Sequence, residues 1–110
     1  MTATTVATGP IYSTFGDDPD MGELVDMFVG EIPDRIAALE AQFAEGDLTR
    51  LGQTAHQLKG AAGSYGFPCV TPVAARVEAA AKGNEPEDRV REALDELVAM
   101  CGRMRAGAGQ

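Results

Sequence analysis

The strongest constraint on this chain is the phase of its apolar residues between Leu48 and Tyr65. On an α-helix of roughly 100° per residue, with His56 at zero, Leu48, Leu51, Ala55, Leu58, Ala62 and Tyr65 fall in an arc from about 180° to 280°. A stripe of that width buries against neighbouring helices, so the segment reads as one member of a helical bundle. His56, the only histidine in the chain, lies on the opposite side. Within about 60° of it stand Thr49, Gly52, Gln53, Lys59, Gly60 and Gly63, a surface nearly free of bulky side chains.

Glycine inside a helix costs up to about 1 kcal/mol relative to alanine, so three on one face require a reason. Close helix packing is the ordinary one. Because Gly52, Gly60 and Gly63 share the face opposite the apolar stripe, close approach of a partner backbone or ligand is the better account. Lys59, three residues after His56, puts an ammonium beside the imidazole. One histidine with two distant cysteines, Cys69 and Cys101, offers no metal-ligand cluster. A convex helix face is also a poor setting for a hydrolytic triad. Transient covalent attachment uses every member of the group: a neutral imidazole nitrogen attacks phosphorus, and a nearby cation offsets charge on the phosphoryl oxygens.

The order His56-x-Leu58-Lys59-Gly60-x-x-x-x-x-Gly66 resembles the signature of histidine-containing phosphotransfer (HPt) domains, small helical bundles that relay phosphoryl groups in multistep two-component signalling. The similarity runs from about Met21 to Met104, with Phe28 and Ile32-Pro33 ahead of the motif and Gly46-Asp47 before the histidine helix. It implies that His56 is the phosphoacceptor, that Lys59 neighbours the phosphoryl group, and that Gly60 leaves room for a docking receiver domain. Gly63, Gln53 and Gln57 are further candidate partner contacts. In the family, a Gln or Glu on the following helix approaches the histidine's other nitrogen; the corresponding position here is Glu78. A carboxylate there would hold the Nδ1 proton and leave Nε2 as nucleophile. Arg76 and Lys82, on either side of Glu78, read as balancing charge.

The resemblance further implies receiver domains of response regulators and a sensor histidine kinase as partners. It implies a phosphocarrier rather than an enzyme; the sequence has no glycine-rich nucleotide loop to suggest an ATP site and no carboxylate cluster around His56, so no cofactor is expected and Mg²⁺ is expected on the receiver side. Two alternatives use the same bundle: an adaptor that binds a receiver or kinase without being phosphorylated, and a phosphohistidine domain served directly by an ATP-dependent kinase domain of another protein.

At 110 residues the chain is the size of one domain. A net charge of −8 argues against a nucleic-acid binder, which would carry a basic patch. No stretch has the apolar length of a membrane span, and the N-terminus lacks the basic flank and apolar run of a signal peptide. The expectation is a soluble, cytoplasmic, free-standing monomer with reduced cysteines, Cys101 in the core.

In chain order, residues 1–18 read as mostly flexible, with Ile11, Tyr12 and Phe15 able to pack on the bundle; 19–105 as the bundle; and 106–110 as a flexible tail. From about Pro19 to Gly30 the set Met21, Leu24, Val25 and Phe28 repeats at helical spacing. Pro33 predicts a kink or break near Glu31-Ile32, and a second segment continues to about Glu45. Gly46 and Asp47 suit a helix C-cap followed by an N-cap, which predicts a tight turn between antiparallel helices. The third helix begins at Thr71-Pro72 or nearer Phe67 and ends about Lys82, and the last runs from about Pro86 to Met104. The predicted architecture is all-α: an antiparallel up-and-down four-helix bundle with an additional short or kinked N-terminal helical segment.

Overall fold

The computed structural model describes residues 9–107, and within them four helices form an all-α bundle. Helix α1 spans Gly22–Ala44, α2 Leu48–Ser64, α3 Val70–Lys82 and α4 Glu87–Cys101. The α2 helix packs against α1 and α3, and α4 closes the bundle against α3 and α1. Leu39, Leu51, Leu58, Leu94 and Leu97 are fully buried at its centre. Each such side chain withdrawn from water contributes about 1.5–3 kcal/mol.

Helix α1 is entered through a turn in which Asp18 Oδ1 accepts hydrogen bonds from the amides of Asp20 (2.7 Å) and Met21 (3.1 Å). Of the kink or break expected near Glu31-Ile32, the break is absent: α1 is one helix with Pro33 inside it. Proline in a helix interior costs about 3 kcal/mol. Here Val25, Phe28 and Ile32 before it and Leu39 after it are buried in one core, so packing on both sides offsets that cost while the proline itself is exposed. Leu24 also departs from expectation, because it is exposed rather than part of the buried stripe.

The same device ends α1 and α2. Gly46 has φ of 72° and Gly66 of 86°. In both cases the following amide reaches five residues back, Asp47 to the Gln42 carbonyl (2.9 Å) and Phe67 to the Ala62 carbonyl (2.8 Å). These are Schellman caps, and each glycine adopts the left-handed conformation the cap demands. Asp47 then accepts from the Arg50 amide at 3.1 Å and starts α2. Phe67 turns inward to full burial, near the Phe28 ring, which stacks on Tyr65 at 4.8 Å. Helix α3 begins at Val70, which puts Pro72 in its first turn, where a missing amide hydrogen leaves no helical bond unmade.

Helix α4 stops at Cys101, short of the predicted Met104. A two-residue strand, β2 (Met104–Arg105), follows and pairs in parallel with β1 (Ile11–Tyr12). This pairing was not legible in the sequence. The stretches read as flexible, 1–18 and 106–110, include residues 1–8 and 108–110, which lie outside the described residues. Residues 9–18 lie across one end of the bundle. Ser13 is buried, its Oγ donating to the Tyr65 carbonyl at 2.6 Å, and the Thr14 amide donates to the Gly66 carbonyl at 2.9 Å.

Candidate functional site

His56 projects from the middle of α2, with 61% of its side chain exposed. Its position follows from the helical phase: Leu51, Ala55, Leu58 and Ala62 are buried and turn the opposite face outward. Nδ1 lies 2.9 Å from Glu78 Oε2, across the α2–α3 seam. An ionised carboxylate only accepts hydrogen bonds, so Nδ1 carries a proton, and in the neutral ring the lone pair is on Nε2.

Glu78 is the centre of the group, with only 10% of its side chain exposed. Besides the imidazole, it accepts from Lys59 Nζ on Oε1 and from Lys82 Nζ on Oε2, each at 2.7 Å. The Lys59 and Lys82 ammonium groups hold its carboxyl well below the usual range, from 4.5 to about 2; burial opposes the shift and the His56 hydrogen bond adds to it. Glu78 is therefore an anion at any physiological pH.

The residues singled out from sequence divide into three groups. His56, Lys59 and Glu78 converge. Gln53, Gln57, Gly60 and Gly63 are exposed around them, and Gln53, His56, Gln57 and Lys82 line a shallow cleft of about 240 Å³. A Cβ added at Gly60 would meet nothing within 4 Å, and one at Gly63 would touch only Thr71 Oγ1 at 3.5 Å. Gly52 departs from the expectation that all three helical glycines admit a partner. It is buried, and a Cβ there would lie in ordinary contact 3.6 Å from both Ala81 Cβ and Lys82 Cγ, so the space over it is taken by α3 and is not open to a partner. Its wheel angle placed it near His56, but α3 crosses on that flank.

Two features were missed in the sequence. From sequence Lys82 reads only as a balancing charge, yet it belongs to the cluster, whereas Arg76 turns away to Glu96 on α4 at 2.8 Å. The i, i+4 spacing of Glu78 and Lys82 was the available signal. On the other flank, Glu31, Asp34, Arg35 and Ala38 of α1 share a groove with Thr54 and Gln57, and Leu24 and Met27 expose large apolar side chains on the same helix.

Among the described residues no group of three or more His, Cys, Asp or Glu side chains is placed to hold a metal ion. Among the same residues no helix is long and apolar enough to cross a membrane. Residues 23–107 match the family model of the Hpt domain. No curated protein and no solved structure gave a match to the chain.

Proposed function

This chain belongs to the Hpt domain family, whose members carry phosphoryl groups in two-component signalling, and on that premise we propose that it accepts a phosphoryl group on His56 Nε2 and exchanges it with an aspartate of a receiver domain. The observation that carries this reading is the hydrogen bond from His56 Nδ1 to Glu78, which turns the ring's free nitrogen to solvent.

In the transfer step the Nε2 lone pair attacks the phosphorus of a receiver's aspartyl phosphate. A P–N bond forms, the P–O bond to the aspartate breaks, and its electron pair returns to the carboxylate. The proton stays on Nδ1, and the ring's positive charge is stabilised by Glu78. Lys59 neutralises charge on the transferring oxygens. The reverse sequence discharges the carrier. No ATP site is needed, because the donor is already phosphorylated, and the receiver supplies the Mg²⁺.

The bundle is read as antiparallel and up-and-down. The receiver is taken to dock over Gly60 and Gly63, with Gln53 and Gln57 at the rim and Leu24 and Met27 of α1 as an apolar border. A cytoplasmic monomer charged by way of a sensor histidine kinase completes the proposal.

The test is incubation with a phosphorylated receiver, followed by intact mass and acid lability, with His56→Gln in parallel. One acid-labile phosphoryl group in the parent and none in the variant supports the reading. Retained receiver binding without an adduct would overturn it in favour of an unphosphorylated adaptor.

A further inference from the structure

We propose that Thr71 is a positioning residue for phosphotransfer: its hydroxyl fixes the register of α3 on α2, and with it the contact between Glu78 and His56. The inference rests on the phosphotransfer reading above and adds to it a residue outside the charged cluster.

Thr71 stands in the first turn of α3, where a threonine hydroxyl ordinarily bonds backbone groups close to it in sequence. Here Oγ1 crosses to α2 instead and donates to the Lys59 carbonyl at 3.2 Å. A carbonyl inside a helix already accepts the amide one turn on, and the hydroxyl takes its second lone pair. Lys59 therefore meets α3 twice: its carbonyl accepts from Thr71, and its ammonium donates to Glu78 Oε1 at 2.7 Å. From Thr71 to Glu78 the chain advances by nearly two full helical turns, so both residues lie along one flank of α3, about 10 Å apart on its axis.

The seam offers little else at its ends to hold that register. Gly63 presents bare backbone beneath Thr71, with Oγ1 3.5 Å from where a Cβ would stand, and Gly52 presents the same beneath Ala81. Neither glycine supplies a large side chain to seat a ridge in a groove. The site is sensitive to such freedom: hydrogen bonds hold over about 2.7–3.2 Å, whereas one residue of slide along a helix is about 1.5 Å. Glu78 Oε2 meets Nδ1 at 2.9 Å. A second tie two turns away on the same flank resists both sliding and rotation of α3, and Thr71 supplies it.

Thr71→Val keeps the shape and removes the donor, and Thr71→Ser keeps the donor. Each is read by single-turnover transfer from a phosphorylated receiver, by receiver affinity and by the ring ¹⁵N shifts of His56. Thr71→Val should slow transfer about fivefold, the effect of one neutral hydrogen bond, while affinity changes by less than about twofold and the shifts move toward a mixture of tautomers. Thr71→Ser should stay within about twofold of the parent rate and keep its shifts. In a Glu78→Ala background Thr71→Val should cost less than about 1.5-fold, because Thr71 acts through the carboxylate. A merely structural hydroxyl would lower the melting temperature and leave rate and shifts unchanged wherever the variant is folded. That outcome, or equal losses with and without Glu78, would overturn the proposal and leave His56 as the acceptor. Failure of the unsubstituted protein to form phosphohistidine would instead overturn the phosphotransfer reading on which the proposal rests.

Discussion

Glu78 Oε2 and His56 Nδ1 meet at 2.9 Å, and through this contact α3 sets the proton position on an imidazole carried by α2. Removing the carboxylate by Glu78→Ala should leave both ring tautomers populated and slow phosphotransfer about ten- to a hundredfold, the range for losing a hydrogen bond to a charged group. Ring ¹⁵N shifts and single-turnover rates would report the two effects. Unchanged shifts would mean that Glu78 does not fix the tautomer.

The same carboxylate ties stability to pH. Its pKa in the folded protein, about 2, lies below the ordinary 4.5. Ionised Glu78 therefore favours the fold above pH 4.5, and that contribution disappears as pH falls from there toward 2. Over this window Lys59 and Lys82 lose the carboxylate that accepts their hydrogen bonds. Denaturation midpoints should drop more steeply for the parent than for Glu78→Gln between those limits. Parallel curves would contradict the linkage.

Lys59 Nζ donates at 2.7 Å to Oε1 of the carboxylate whose Oε2 meets His56 Nδ1. Lys59→Ala should slow transfer about tenfold while receiver affinity changes by less than about threefold, since the charge acts mainly on the transferring group. Equal losses in rate and affinity would make Lys59 a docking residue instead.

Two glycines of the motif should respond in opposite ways. A side chain at Gly60 meets open space, whereas a Cβ at Gly66 would come within 2.4 Å of Ser13 Oγ and 2.8 Å of Thr14 Oγ1, at a φ of +86°. Gly60→Leu should keep its melting temperature within a few degrees, apart from the propensity change, and lose receiver binding. Gly66→Ala should lose at least about 1–3 kcal/mol of stability. Calorimetry and a binding titration separate the two, and retained binding by Gly60→Leu would move the docking face elsewhere.

Met27 is an exposed apolar residue on α1. Met27→Glu should alter stability by less than about 0.5 kcal/mol, as surface changes do. Receiver affinity should fall about tenfold if the apolar border is part of the contact. Unaltered affinity would confine docking to α2 and α3.

The histidine helix and its limits were legible because each depends on neighbours in sequence. The stripe from Leu51 to Ala62, the Gly46-Asp47 cap and the Gly66 stop all follow from helical phase and from glycine's access to positive φ. Glu78 was reachable only through its spacing within a known family pattern, since no local rule relates positions 56 and 78. That α1 runs unbroken through Pro33 was not legible for the same reason: the proline's local cost is real, but core burial on both sides outweighs it.

Local sequence thus determined that a single imidazole would stand on the open face of an amphipathic helix, with Lys59 one turn away and bare backbone at Gly60. Only the tertiary structure decided what surrounds that imidazole. The crossing of α3 over α2 buries Gly52, brings Glu78 to Nδ1 and adds Lys82. The pairing of Ile11–Tyr12 with Met104–Arg105 was decided in the same way. Contacts between helices depend on how whole elements are oriented, and periodicity within one element carries no record of its neighbour's angle or register.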